Sequence, residues 1–117
     1  MRGPHPTSNF VTLSKAETAA GIAISVVMNV PWPLKSLTDQ VVRSASSVPA
    51  NLAEGAGRTG KDRAYHWKVA YGSAKEVDVH LRLLVQIGVV ESSRTSDAIN
   101  LFDRVRAMTW RLLNPRP

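Results

Sequence analysis

The chain has no cysteine, which excludes disulfides, thiolate nucleophiles and cysteine-ligated zinc at once. Aromatic residues make up only 6% of it, so few side chains can stack on a ring or a base. Its three histidines, His5, His66 and His80, have no cysteine near them. Long apolar runs are missing too. The longest, residues 19–30, is interrupted by Ser25 and Asn29 and ends at Pro31, short of the ~20 residues a membrane-spanning helix needs. A cleaved signal peptide is the alternative use of such a tract, since Arg2 precedes it. Lys15 and Glu17 stand directly before the tract, however, and no small-x-small cleavage site follows. Together these absences fit a reducing cytoplasm and no membrane role.

What the chain does have is positive charge. Fifteen Lys and Arg against nine Asp and Glu give +6, with a sequence pI near 10.3. Charge of that size favours polyanions such as RNA, DNA or an acidic protein. At 117 residues the chain is one domain.

Apolar periodicity then divides it. Residues 1–12, with Pro4 and Pro6, read as a flexible arm. A first helix is expected over residues 14–29, with Ala16, Ala20, Ala23, Val27 and Val30 near one stripe. Val-Pro-Trp-Pro breaks it, because Pro31 and Pro33 cannot continue a helix. A second helix follows over residues 36–56, with Ser36 as N-cap and Asp39 near the exposed amides. Its core positions are Leu37, Val41, Ala45, Val48 and Leu52. Gly55, Gly57 and Gly60 read as its stop. A third helix spans residues 61–87 and ends at Gly88. After a polar link with Ser92 and Ser93, a fourth spans residues 96–113 with the stripe Ala98, Leu101, Phe102, Val105, Met108 and Leu112. Asn-Pro-Arg-Pro closes the chain, leaving residues 114–117 as a tail. Four amphipathic helices on short loops predict an all-α, antiparallel up-down four-helix bundle over residues 13–113.

Inside the second helix stands Pro49, which removes a backbone hydrogen bond and presses on the Ala45 carbonyl at a cost of ~3 kcal/mol. Around it the segment reads S-V-P-A-N-L-A-E-G-A-G-R. Ala50, Ala53 and Gly57, three and four apart, would let another helix approach, while Pro49 bends the segment around it. Asn51 is placed to cap a carbonyl freed by the bend, and Glu54 and Arg58 to form an i,i+4 pair.

These residues resemble the signature of a bacterial family of small four-helix-bundle proteins. Its members include proteins encoded in intervening sequences of large-subunit rRNA genes and the accessory variability determinants of diversity-generating retroelements. A second block, A-Y-G-S-A-K-E-V-D over residues 70–78, is similar to the family's A-x-G-S-x-x-E-x-E, with Asp78 for the second glutamate. Val42 stands where the family commonly has the first of a basic pair, leaving Arg43 alone. The resemblance implies a ring-like homopentamer and, through the retroelement members, a reverse transcriptase as partner. Pro49, Asn51, Glu54 and Gly55 are then an architectural motif.

The third helix has more than one apolar side. At about 100° per residue, Trp67, Ala70, Ala74, Val77, Leu81 and Leu84 form a core face. Tyr65, Val69, Gly72, Val79 and Leu83 form a second, nearly opposite, which fits either self-association or a lightly apolar outer surface. Between the two, Lys61, Lys68, Lys75 and Arg82 recur every seventh residue and make one row ~30 Å long. Asp62, Glu76 and Asp78 lie off that row, so it is expected to stay unneutralised. With Arg43 and Arg58, these four are the candidate phosphate contacts; an ordinary solvated flank has the same pattern. Arg104 and Arg111 on the fourth helix would widen the patch, though Asp97 continues their row.

No catalytic constellation emerges, and neither a metal nor a cofactor is implied. Glu76 and His80 are four apart but lack a third ligand, and a local hydrogen bond or solvated pair is the simpler reading. Ser73 beside Lys75 reads as mid-helix packing. G-A-G-R-T-G lacks the strand and G-K-[ST] ending of a phosphate loop. For stacking on bases, Trp32 in the proline turn is the exposed candidate, with Trp67 and Trp110 read as core or interface. Two functions follow: a non-enzymatic oligomeric adaptor that binds RNA or DNA, or a protein-interaction scaffold whose basic surface meets an acidic partner.

Overall fold

Two prolines decide where the chain first turns. Pro31 is extended (φ −59°, ψ 146°), and Pro33 sits within the single 3-10 turn Trp32–Leu34, so the helix before cannot run into the helix after. The computed structural model describes residues 8–116. It contains α1 (Ser8–Val27), α2 (Lys35–Ala56), α3 (Gly60–Gln86) and α4 (Ser92–Leu113), and no strand among the described residues. Each helix packs against two others, α1 on α2 and α4, and α3 on α2 and α4. Short loops make successive helices antiparallel, giving the expected four-helix arrangement with extents of 50 × 24 × 22 Å.

The core follows the apolar stripes. All six core positions read for α3 are buried, as are Val41, Ala45, Val48 and Leu52 of α2. Phe102 is the largest fully buried side chain. α1 contributes Ala16, Ala19, Ala20 and Ala23, whose small size lets α2 and α4 come close to its backbone. By length and composition alone, Phe10–Val27 is apolar enough to cross a membrane, with a mean hydropathy of 1.4. In the bundle, its alanine stripe is instead packed against protein.

α1 and α4 begin four or more residues earlier than their apolar periods suggest, and for one reason. α1 is helical from Ser8, so part of the expected arm belongs to it; residues 1–7 lie outside the described residues. Thr12 is fully buried one helical step before Ala16. α4 starts at Ser92 rather than 96, absorbing the expected polar link, and Thr95 is fully buried in its first turn. The Thr95 hydroxyl donates to the Glu91 carbonyl at 2.6 Å, which satisfies it inside the core. A hydroxyl-bearing residue counts as polar in the pattern, so each first turn was hidden. α2 likewise starts one residue early, with Leu34 at the cap and no side-chain capping bond, so Ser36 is not its N-cap. Asp39 accepts from Lys35 Nζ at 2.6 Å.

The glycines need reassigning. Gly88 ends α3 as expected, left-handed at φ 79°, with Gly88 N–H donating to Val85 and Val89 N–H to Leu84, a Schellman closure. Gly60, the first residue of α3, is also left-handed, at φ 60°. Gly55 stops nothing: it is buried within α2, and a Cβ there would lie 2.5 Å from Trp67 Cδ1 and 2.6 Å from its Nε1. The close approach expected of Ala50, Ala53 and Gly57 is therefore made at Gly55, and those three positions are exposed. Trp67 Nε1–H donates to the Leu52 carbonyl at 3.2 Å. Arg63 closes the same corner, with Nε donating to the Gly55 carbonyl and Nη2 to that of Ala56, both at 3.0 Å, and its guanidinium 5.2 Å from the indole centroid.

Gly55→Ala is therefore expected to displace Trp67 and destabilise the bundle by about 1–3 kcal/mol. Gly57→Ala, exposed at φ −84° with its nearest new neighbour at 3.7 Å, is expected to be neutral or stabilising by a few tenths to ~1 kcal/mol. Thermal melts of the two variants check the contrast.

Candidate nucleic-acid interface

Because Trp67 faces α2, the rotation of α3 about its axis is set. The second apolar face then points away from the other helices. Tyr65 is 64% exposed and Val79 63%, Leu83 and Gly72 are exposed, and Val69 is half-buried. Among the described residues nothing covers Tyr65, Gly72, Val79 or Leu83 of this stripe.

The six candidate phosphate contacts divide into two groups. Lys61, Lys68 and Lys75 are exposed, and none has a carboxylate partner among the described residues. The other three are paired. Arg82 Nε donates to Asp78 Oδ1 at 2.6 Å, so the row is neutralised at its far end, contrary to the expectation from the wheel. Four residues apart on a helix, a long guanidinium arm reaches back across the angle that separates the two Cα positions. Arg43 on α2 bonds Glu76 on α3 and the Gln40 side chain. Arg58 makes the expected pair with Glu54, through Nε at 3.0 Å and Nη2 at 2.7 Å, with Asp62 3.7 Å away. That hydrogen bond, and then the arginine charge, hold the Glu54 carboxyl below its usual range.

Asp78 does more than neutralise one cation. Nearly buried, it also lies 3.6 Å from Arg106 of α4, which in turn bonds Asp103. Two acids and two arginines thus tie α3 to α4. On the opposite flank, a polar seam ties α3 to α2. Asn51 Nδ2 donates to the Ser47 carbonyl at 2.9 Å and to Ser47 Oγ at 3.0 Å, and Ser73 Oγ donates to the same hydroxyl. Asn51 thus caps a carbonyl near Pro49, that of Ser47 rather than Ala45. His66 Nδ1 lies 3.0 Å from Asn51 Oδ1, which can only accept, so the proton is on Nδ1. Ser73 is therefore a helix-to-helix link. Glu76 is engaged by Arg43, and no group of three His, Cys, Asp or Glu gathers among the described residues.

Sequence reasoning undervalued two aromatic residues. Tyr71 of α3 and Trp110 of α4, the latter 53% exposed, line one groove with Arg106 and Arg111. Tyr71 falls on the Lys68 and Lys75 side of α3, a signal the wheel contained. Trp67 is core as expected, and Trp32 is 75% exposed as expected. Trp32 stands, however, at the end of the bundle where α1 meets α2, remote from Lys61 and Lys68 at the start of α3.

Comparison with known proteins bears on the family and the fold. The family model of the 23S rRNA-intervening sequence protein matches residues 13–111. No curated protein matches the chain. Among solved structures, a protein of unknown function from the S23 ribosomal protein family of Bacteroides thetaiotaomicron superposes with a TM-score of 0.78. It covers 92% of this chain and 98% of its own at 19% identity, a likeness of fold.

Asp78→Ala removes the acid shared by Arg82 and Arg106. It is expected to lower stability by about 1–2 kcal/mol while the helix content stays unchanged. Circular dichroism and a denaturant titration read both.

Proposed function

The chain belongs to the 23S rRNA-intervening sequence protein family, and on that premise we propose that it is a non-enzymatic, self-associating adaptor that holds nucleic acid along α3. The observation that supports this best is the set of three unpaired lysines, Lys61, Lys68 and Lys75, on one flank of a helix whose nearby acids are all engaged by other cations. Free lysines seven residues apart recur about every 10 Å along the helix, so an extended phosphate chain can meet them in succession. Arg82 continues the same row, whereas Arg43 and Arg58 are held on the α2 side by Glu76 and by Glu54; all three reach phosphate only by leaving their carboxylates. Contacts to phosphate carry no base information, so the binding is independent of sequence.

Self-association is supported by the stripe that holds Tyr65, Val69, Gly72, Val79 and Leu83. Several large apolar side chains in line on one exposed face favour a contact between copies. The resemblance to retroelement accessory proteins makes a cytoplasmic homopentamer that presents RNA or DNA to a reverse transcriptase the fuller form of the proposal. No catalytic step is invoked.

Labelled RNA and DNA titrated at low and physiological salt are expected to bind with an affinity that falls as salt rises, by about 0.7 to 0.9 in log–log slope for each phosphate neutralised. Lys68→Glu with Lys75→Glu should abolish the binding and leave the melt unchanged. No binding by the wild type at low salt would favour the reading in which this surface meets an acidic protein. Light scattering is expected to give an oligomeric mass that Val79→Lys with Leu83→Lys reduces to the monomer; a monomeric wild type refutes the self-association.

A further inference from the structure

We propose that the groove between α3 and the end of α4 is a stacking site for the bases of a single-stranded polynucleotide, with Tyr71 and Trp110 as the platform. This rests on the nucleic-acid reading above and adds to it a place and a preference for unpaired strands.

The site is made of two adjoining cavities of about 700 and 380 Å³ that share Tyr71, Trp110 and Asn114. Each is within the range of small-ligand sites. Asn114 fixes one wall, because its backbone N–H and its Nδ2 both donate to the Trp110 carbonyl and close α4 there. Small and aliphatic neighbours, Ala64, Ala107 and Pro115, stand beside the rings. An indole left half-exposed in a bundle this small represents apolar surface not buried by folding, and a second planar ring can cover it.

The charges around the rings indicate which planar ring. Lys68 borders the groove from α3, and Arg111 and Arg116 border it from the end of α4. None of these three has a carboxylate partner among the described residues. Arg106, the other cation of the lining, is held by Asp78 and Asp103 and acts as a wall. An aromatic floor flanked by free cations on both sides matches a base with its own backbone phosphates. Lys68 is also a member of the α3 lysine row, so one strand can stack in the groove and continue toward Lys75. A duplex keeps its base faces inside its own stack and cannot offer them. RNA and DNA share this chemistry, and the two are distinguished by experiment.

The test compares wild type, Trp110→Leu and Trp110→Phe against labelled oligouridylate, oligothymidylate and a duplex, each about twelve nucleotides long. Trp110→Leu is expected to weaken both single strands about tenfold or more, and to leave the duplex within about twofold. Trp110→Phe is expected to restore most of the loss. Unlabelled oligothymidylate should quench the tryptophan fluorescence of the wild type and quench Trp110→Leu much less, a readout that a purely structural role would not move. A folded Trp110→Leu that binds single strands as the wild type does overturns the assignment, as does an equal loss on single strands and duplex. A fall in oligomeric mass with unchanged binding overturns it in favour of a contact between copies. Failure of the wild type to bind any of the three probes removes the nucleic-acid reading itself, and the groove with it. Comparing oligouridylate with oligothymidylate then says which polymer the site prefers.

Discussion

The indole of Trp67 lying against the bare backbone of Gly55 is the contact on which the placement of α3 depends. No other residue at position 55 leaves that space, and the ring is held there twice, by its bond to the Leu52 carbonyl and by the Arg63 guanidinium above it. Arg63 meanwhile satisfies two of the carbonyls that every helix C-terminus leaves open, so one side chain both ends α2 and orients α3. With about 100° between successive residues, fixing Trp67 toward α2 fixes every other direction on α3. Ala70, Ala74 and Val77 turn inward, Tyr65 and Val79 turn outward, and the lysine row lies on the flank toward α4. The surface chemistry of this protein is thus a consequence of one close contact in its interior.

The motif around Pro49 has a physical account on the same terms. Pro49 withholds a hydrogen bond from the Ala45 carbonyl without ending α2, which continues to Ala56. Its neighbours add bonds from the side: Asn51 back to Ser47, Ser73 across to Ser47, and His66 to Asn51. Of the residues that carry the resemblance, Asn51 therefore lies at the α2–α3 seam and Gly55 at the notch that takes Trp67. They describe how two helices are joined, which explains why the motif identifies a fold better than a reaction.

What could be read from the sequence follows from the range of each interaction. The core stripe of α3 was legible in full, because burial of a long amphipathic helix repeats every three or four residues and leaves a strong pattern. The first turns of α1 and α4 were not, since their buried members are threonines. Gly55 was visible but misread: a glycine near a helix end fits a chain reversal as well as a close approach, and its partner is on the next helix. The Glu54–Arg58 pair was legible from its spacing, and Arg82–Asp78 has the same spacing yet was missed by treating side chains as fixed at their Cα angle. Arg43–Glu76 and Asp78–Arg106 join different helices, and no local pattern carries them. For the candidate site, this means the lysines could be found from the sequence, but which cations stay free could not.

The division of labour among the cations follows from their chemistry. Arginine offers a rigid fork that matches a carboxylate or a pair of carbonyls, and here Arg43, Arg58, Arg63, Arg82 and Arg106 are all committed to such partners. Lysine is a hydrated point charge on a flexible stem, and on α3 it is left free. Two consequences follow. Asp39, Glu54, Asp62, Glu76, Asp78 and Asp103 are each held near another cation, and among the described residues Lys61, Lys68 and Lys75 have no carboxylate partner. Along α3 the positive field is then built from the cations best suited to following a flexible chain of phosphates, and the free Arg111 and Arg116 join it at the α4 end. Any selectivity of the surface must come from elsewhere in it, and along this flank the residues with the geometry to supply it are the two aromatic rings at its end.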